Sequence, residues 1–199
     1  VDIVLVGDSM ANVLYGHKNT HKISLKNIIQ HTLSVKLGVK NSLLVVDMPK
    51  DSYNNKKNTI KNVKLLIKKT GCDAVKLENY KQNYKFIEEL VKKKIPVMGH
   101  IGYTPQFKKK FKIAGQTKSE TKKLLKEAKS IEKAGAFSII LECLSPSSAK
   151  LITSELNIPT IGIGSSSNCD GQILVTDDML GISGFYPKFV KKYVKLDRI

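Results

Sequence analysis

Short apolar runs alternate with longer, lysine-studded amphipathic stretches along this 199-residue chain. The apolar runs fall at 2–7, 42–48, 74–77, 96–101, 138–143, 159–164 and 173–177. They hold β-branched residues, lack polar alternation and are bounded by Gly or Pro, which is how parallel strands buried on both faces read. Between them lie helical patterns, as at 59–69, 83–93 and 120–134. Ser119 reads as an N-cap, and Gly71 and Gly135 stand where left-handed C-caps are wanted. Repeated βα units predict a parallel sheet with right-handed crossovers. Seven strands on this repeat favour a TIM (βα)8 barrel over an open doubly wound sheet. A full barrel has eight strands and typically about 250 residues. Because the chain opens directly on a strand, the barrel's first strand is expected upstream. The expected organisation is therefore a single barrel domain over 1–199, holding strands 2 to 8.

Composition changes this picture little. At 41% hydrophobic residues, the chain suits one domain with a real core. No apolar run approaches the roughly 20 residues that cross a bilayer, and no leader pattern is apparent. The expectation is a soluble cytoplasmic protein with no membrane partner. A formal charge of +17 suggests nucleic-acid binding. Yet Arg198 is the sole arginine, and lysine lacks the forked geometry that reads bases and grips phosphates. Lys61, Lys64, Lys68 and Lys69 fall on a helix surface rather than among aromatics. No nucleic-acid partner is expected. Cys72, Cys143 and Cys169 are odd in number and show no metal-type spacing, which fits reduced thiols packed as small apolar residues.

The chemistry is expected where barrel enzymes keep it, at the C-terminal strand ends. Reading only those ends gives Asp8 with Ser9, Asp47, Lys76 with Glu78, His100, and Glu142. Any one alone could be a helix cap or a satisfied core histidine. Successive strands delivering ionisable groups to one rim are harder to explain that way. Three carboxylates with no thiolate cluster suit Mg²⁺. Lys76 and Glu78 are two apart on a strand and so share a face, and Lys76 is placed to receive an anionic substrate oxygen. Glu142 remains as candidate general base. A metal beside a base is equipment for removing a proton alpha to a ketone.

At these same residues the chain resembles the ketopantoate hydroxymethyltransferases. The matching segments are Val6-Gly7-Asp8-Ser9 with Tyr15-Gly16-His17, Asp47-Met48-Pro49, Val75-Lys76-Leu77-Glu78, and Gly99-His100-Ile101-Gly102 running into Thr104-Pro105-Gln106. Leu141-Glu142-Cys143, Ile161-Gly162-Ile163-Gly164, Asp170-Gly171-Gln172-Ile173-Leu174-Val175 and Pro187-Lys188-Phe189-Val190 follow in order. The resemblance implies a TIM barrel of the phosphoenolpyruvate/pyruvate-binding type. It implies that Asp8, Asp47 and Glu78 bind Mg²⁺, directly or through water. Ser9, Asp8, Asp47, Lys76 and His100 would hold the 2-oxo acid, and Glu142 would be the base that forms a magnesium-stabilised enolate. The implied reaction moves a one-carbon unit from 5,10-methylenetetrahydrofolate to 3-methyl-2-oxobutanoate, giving 2-dehydropantoate in pantothenate synthesis. A homo-oligomer, a decamer, is implied as well. The chain departs from the family where residues 107–117 form a shortened loop with Gly115 its only glycine. It departs again where Ser165-Ser166 replaces the usual Ala-Gly, a change expected to stiffen that loop.

Two rivals share the barrel logic. A lyase of the isocitrate lyase and phosphoenolpyruvate mutase type would use similar acids, but its Lys-Lys/Arg-Cys-Gly-His loop motif has no counterpart here. A non-catalytic relic would keep the motifs without turnover.

Overall fold

A computed structural model of the chain describes residues 1–108, 110–184 and 186–198. Seven strands form one sheet in chain order: β1 (Ile3–Val6), β2 (Leu43–Asp47), β3 (Ala74–Glu78), β4 (Val97–Gly102), β5 (Ser138–Glu142), β6 (Thr160–Ile163) and β7 (Gly171–Gln172). Every pairing is parallel, and the sheet curls into a half-barrel. Among the described residues β1 and β7 are its edges. Helices α1 (Met10–Val13), α2 (Leu25–Gly38), α3 (Lys56–Thr70), α4 (Tyr84–Val91), α5 (Lys118–Lys133), α6 (Pro146–Glu155) and α7 (Thr176–Leu180) lie between or after the strands. None of the described helices is long and apolar enough to cross a membrane.

Alternation along the strands sorts their side chains into two apolar layers. Val46, Val75, Leu77, Val97, Ile101, Ile139 and Leu141 face the helices, where they join Ile28, Val63, Leu66, Ile87, Leu90, Ile131 and Ile152 in the main core. Val45, Ala74, Met98, Ile140 and Ile161 face the other way and form a smaller inner cluster. Both faces being covered explains why the strands read as unbroken apolar runs. Cys72, Cys143 and Cys169 are all free and buried.

Local signals explain most boundaries and correct three expectations. Helix α3 begins before residue 59, because the Asn55 side chain accepts a hydrogen bond from the Asn58 amide and caps it there. Its left-handed C-cap is Gly71, as its position suggested, at φ 61°. Lys36 of α2 then donates to the carbonyls of Thr70 and Gly71, meeting acceptors the helix end leaves open. Helix α5 is capped by Thr117 rather than Ser119: Thr117 is extended and accepts from the Glu120 amide, while Ser119 is already inside the first turn. Gly135, at φ 92°, follows that helix. The seventh strand sits at Gly171–Gln172, not at 173–177. The ladder ends where the Ile173 amide meets the Gly162 carbonyl, and Asp177 and Asp178 fall in the first turn of α7, where acidic residues favour a helix start.

Gly99 marks the tightest helix–sheet approach. A Cβ there would lie 2.4 Å from Cγ2 of Ile131 on α5. Gly99→Ala should therefore destabilise the fold by roughly 1–3 kcal/mol through overpacking. Urea denaturation checks this; an unchanged midpoint would contradict the packing described.

Candidate active site

The inner face of the sheet turns polar toward its C-terminal rim. Asp47 follows Val45, Lys76 follows Ala74, His100 follows Met98 and Glu142 follows Ile140, each two residues on, and Glu78 lies two beyond Lys76, so all share one side. Parallel register then sets neighbours side by side, pairing Asp47 with Lys76 and Glu78 with His100. Lys76 Nζ lies 2.9 Å from Asp47 Oδ1 and 3.2 Å from His100 Nδ1. On its other side His100 Nε2 stands 3.2 Å from Glu142 Oε2. Glu78 Oε1 is 3.9 Å from His100 Nδ1. One line of contacts thus runs Asp47–Lys76–His100–Glu142 across four adjacent strands.

Asp8 lies two residues past β1 and reaches the same rim through its backbone, whose amide donates to Asp47 Oδ2 at 3.0 Å. Gly7 makes this approach possible. A Cβ at residue 7 would come within 3.0 Å of Ser9 Oγ and 3.6 Å of Asp47 Oδ2. Ser9 stands half-buried at the head of α1, and its hydroxyl makes no capping bond. The structure therefore brings every residue singled out from the sequence to one rim.

From the sequence alone, Gln106 and Tyr53 carry no assigned role, and Ser165 none beyond its loop. Gln106 Nε2 donates to Asp8 Oδ2 at 2.9 Å, its backbone amide donates to Glu78 Oε2 at 3.1 Å, and its Oε1 accepts from the Tyr53 hydroxyl. Ser165 Oγ donates to the Leu141 carbonyl at 2.6 Å and accepts from the Leu144 amide at 3.0 Å. It brackets Glu142 and Cys143 and links the two loops by hydrogen bonds. Cys143 itself holds φ at 52°, an uncommon conformation for a non-glycine residue, just after the candidate base. Burial, with Glu142 alongside, pushes its thiol up to about 12, so it does not serve as a nucleophile.

The electrostatics are lopsided. Four carboxyl groups, Asp8, Asp47, Glu78 and Glu142, meet one buried ammonium among the described residues, Lys76. Burial and the charge of Asp47 raise Asp8 to about 7, against the pull of Lys76 and the Gln106 hydrogen bond. Glu78 is also raised well above the carboxylate range, by burial first and by Asp8, Glu142 and Asp47. Burial would lower Lys76, but Asp47, Glu78 and Asp8 outweigh it, so the lysine stays charged. Burial and Lys76 lower His100, leaving its imidazole neutral. An ammonium has no lone pair, so Nδ1 must face it as acceptor and the ring proton sits on Nε2, toward Glu142. Glu142 differs from its neighbours in access: its side chain is 21% exposed, against 2% for His100.

Such a set suits a hard divalent cation. The donors are all oxygens, and the buried acids repel one another in the absence of more positive charge. No group of three or more His, Cys, Asp or Glu side chains among the described residues forms a preformed cage. Mg²⁺ asks for none, since it keeps several waters and takes one or two carboxylates beside its substrate. Two shallow grooves elsewhere, along the lysine-rich outer side of α5 and toward α6, include none of these residues.

Residues 1–199 match the ketopantoate hydroxymethyltransferase family throughout. The chain belongs to that family. It is 49% identical over 99% of its length to the 3-methyl-2-oxobutanoate hydroxymethyltransferase of Pelagibacter ubique, covering 77% of that protein. It is 44% identical over its whole length to the enzyme of the same name from Thermococcus kodakarensis, covering 71% of it. Among solved structures, 2,3-dimethylmalate lyase, a PEP mutase/isocitrate lyase superfamily member, superposes with TM-score 0.59 at 14% identity, over 80% of this chain and 58% of that one. N-(5'-phosphoribosyl)anthranilate isomerase from Pyrococcus furiosus gives 0.52 at 12%, over 96% and 82%. Those likenesses carry the fold, a TIM-like barrel sheet. The sequence matches set the chain among ketopantoate hydroxymethyltransferases rather than among the lyases that share it.

The raised Asp8 has a measurable consequence. An acid whose folded value lies above its unfolded one costs stability as pH rises between the two. In EDTA, Asp8→Asn should therefore gain stability relative to the unsubstituted chain as pH climbs from about 4 to about 7, by about 4 kcal/mol at the plateau. Thermal melts across that range check it; a difference independent of pH would refute the burial argument.

Proposed function

We propose that this chain transfers a hydroxymethyl group from 5,10-methylenetetrahydrofolate to 3-methyl-2-oxobutanoate, giving 2-dehydropantoate in pantothenate synthesis. The observation that carries the proposal is the Asp47–Lys76–His100–Glu142 line of contacts on the barrel rim of a chain from this family. In this reading Asp8, Asp47 and Glu78 hold Mg²⁺. When bound, the cation supplies Lewis acidity toward the carboxylate and keto oxygens of the 2-oxo acid.

The chain's own groups do the rest. Lys76, kept charged by the acids around it, faces the anionic end of the substrate, and Ser9 donates its hydroxyl there. Glu142 takes the proton from C3, and that carbon bonds to the one-carbon unit as the unit's bonds to N5 and N10 of the folate break. Water supplies the hydroxyl oxygen, and its proton and the one from C3 go to the freed nitrogens of tetrahydrofolate. Its access from the rim suits a group that must touch substrate, while the Nε2–H of His100 orients the carboxylate and stays neutral throughout. Asp47 fixes Lys76, which in turn fixes the His100 tautomer, so the base is oriented from the metal side of the site. The proposal also takes the protein to work in the cytoplasm as a homo-oligomer.

Folate-dependent formation of 2-dehydropantoate with Mg²⁺, abolished by EDTA, tests the activity; no turnover under any metal condition would favour the non-catalytic reading. Glu142→Gln should slow C3–H exchange in deuterated water by about 10²–10⁴-fold. Binding of the 2-oxo acid should be nearly unchanged. Exchange at the unsubstituted rate would remove Glu142 from the mechanism.

A further inference from the structure

The loop after β4 carries a residue for which the proposed reaction has no step. Gln106 is 1% exposed, yet its polar atoms are all engaged. Nε2 donates to Asp8 Oδ2 at 2.9 Å and to the Met48 carbonyl at 3.0 Å, while Oε1 accepts from the Tyr53 hydroxyl at 2.5 Å. Its backbone amide donates to Glu78 Oε2 at 3.1 Å. The amide has only one workable orientation. Two acceptors on one side must meet the NH₂, and the hydroxyl opposite must donate to the oxygen. Tyr53 is buried and packs edge-on against Phe107 at 6.0 Å. Its phenol is raised above the ordinary value by burial and by Glu78, Asp47 and Asp8, so it keeps the proton it donates.

Asp8 and Glu78 need such an agent. They belong to β1 and β3, which are not neighbours in the sheet, and Asp8 stands beyond the end of its strand. The two strands are joined only through β2, so no direct ladder sets the gap between the two carboxyl groups, and each acid's charge disfavours the other's. Gln106 donates an N–H to each. We infer that Gln106, oriented by Tyr53, is a positioning residue that holds Asp8 and Glu78 in register to bind one divalent cation. This rests on the cation site of the proposed function.

The test is Mn²⁺ binding, followed by electron paramagnetic resonance and calorimetry on Gln106→Met, Tyr53→Phe and the double variant, alongside turnover. Gln106→Met should weaken Mn²⁺ binding about 10–100-fold, as loss of groups behind metal ligands does. Tyr53→Phe should weaken it in the same direction by about three- to tenfold, the worth of one hydrogen bond. The double variant should fall short of the product, because both act through one amide. kcat/KM at limiting Mg²⁺ should fall further than kcat at saturation, a split that mere loss of stability does not produce. Should Gln106→Met fail to fold, Tyr53→Phe decides, since it removes a single hydroxyl. Mn²⁺ affinities within twofold of the unsubstituted protein in folded variants would overturn the inference even with full turnover. Weakened affinities in a protein that makes no 2-dehydropantoate would uphold it and overturn the transferase reading instead.

Discussion

Among the described residues, four carboxyl groups and one buried ammonium share the mouth of this half-barrel, and burying that imbalance is the constraint on which the rest of the structure turns. Unpaired buried charge costs several kcal/mol per ion, so a fold gains nothing by collecting acids there for their own sake. The chain limits the cost in two ways. Lys76 serves Asp47 directly, and backbone or amide N–H groups from Asp8 and Gln106 serve Asp47, Asp8 and Glu78. The carboxyl groups left without a positive partner fit the divalent cation of the proposed mechanism.

The scaffold converts that constraint into geometry. Strand alternation separates the main core from the inner cluster, and the inner cluster forms the floor under the polar rim. Parallel register makes neighbours of Asp47 and Lys76, then of Glu78 and His100. Loops finish what the ladder cannot reach. Gly7 admits Asp8, Gln106 ties Asp8 to Glu78, and Ser165 holds the left-handed turn that follows Glu142. The neutral imidazole of His100 joins the two halves of the site, with the Lys76 ammonium on one side and the Glu142 carboxylate on the other.

Much of this was legible in the residues because strands carry a period. An apolar run ending in an acid or a lysine exposes both a strand and a rim position, which is how Asp47, Lys76, Glu78, His100 and Glu142 could be found. The run at 173–177 misled for a definable reason. Its apolar residues bridge a two-residue strand and the cap of α7, and hydrophobicity alone does not mark the change of element. Ser119 stands two residues past the actual cap, Thr117, and only backbone conformation separates them. Gln106 and Ser165 had no periodic signature at all. Their roles depend on contacts between loops 98 and 24 or 21 residues distant in sequence, which only the folded chain reveals.

The central claim is that the carboxylates of Asp8, Asp47 and Glu78 form one cation site beside a separate base, Glu142. Anomalous diffraction from crystals soaked with Mn²⁺ and 3-methyl-2-oxobutanoate tests it most directly. A single anomalous peak is expected among Asp8, Asp47 and Glu78, with the 2-oxo acid against it and its C3 turned toward Glu142. A peak elsewhere, or a substrate bound with no cation between it and those acids, would contradict it.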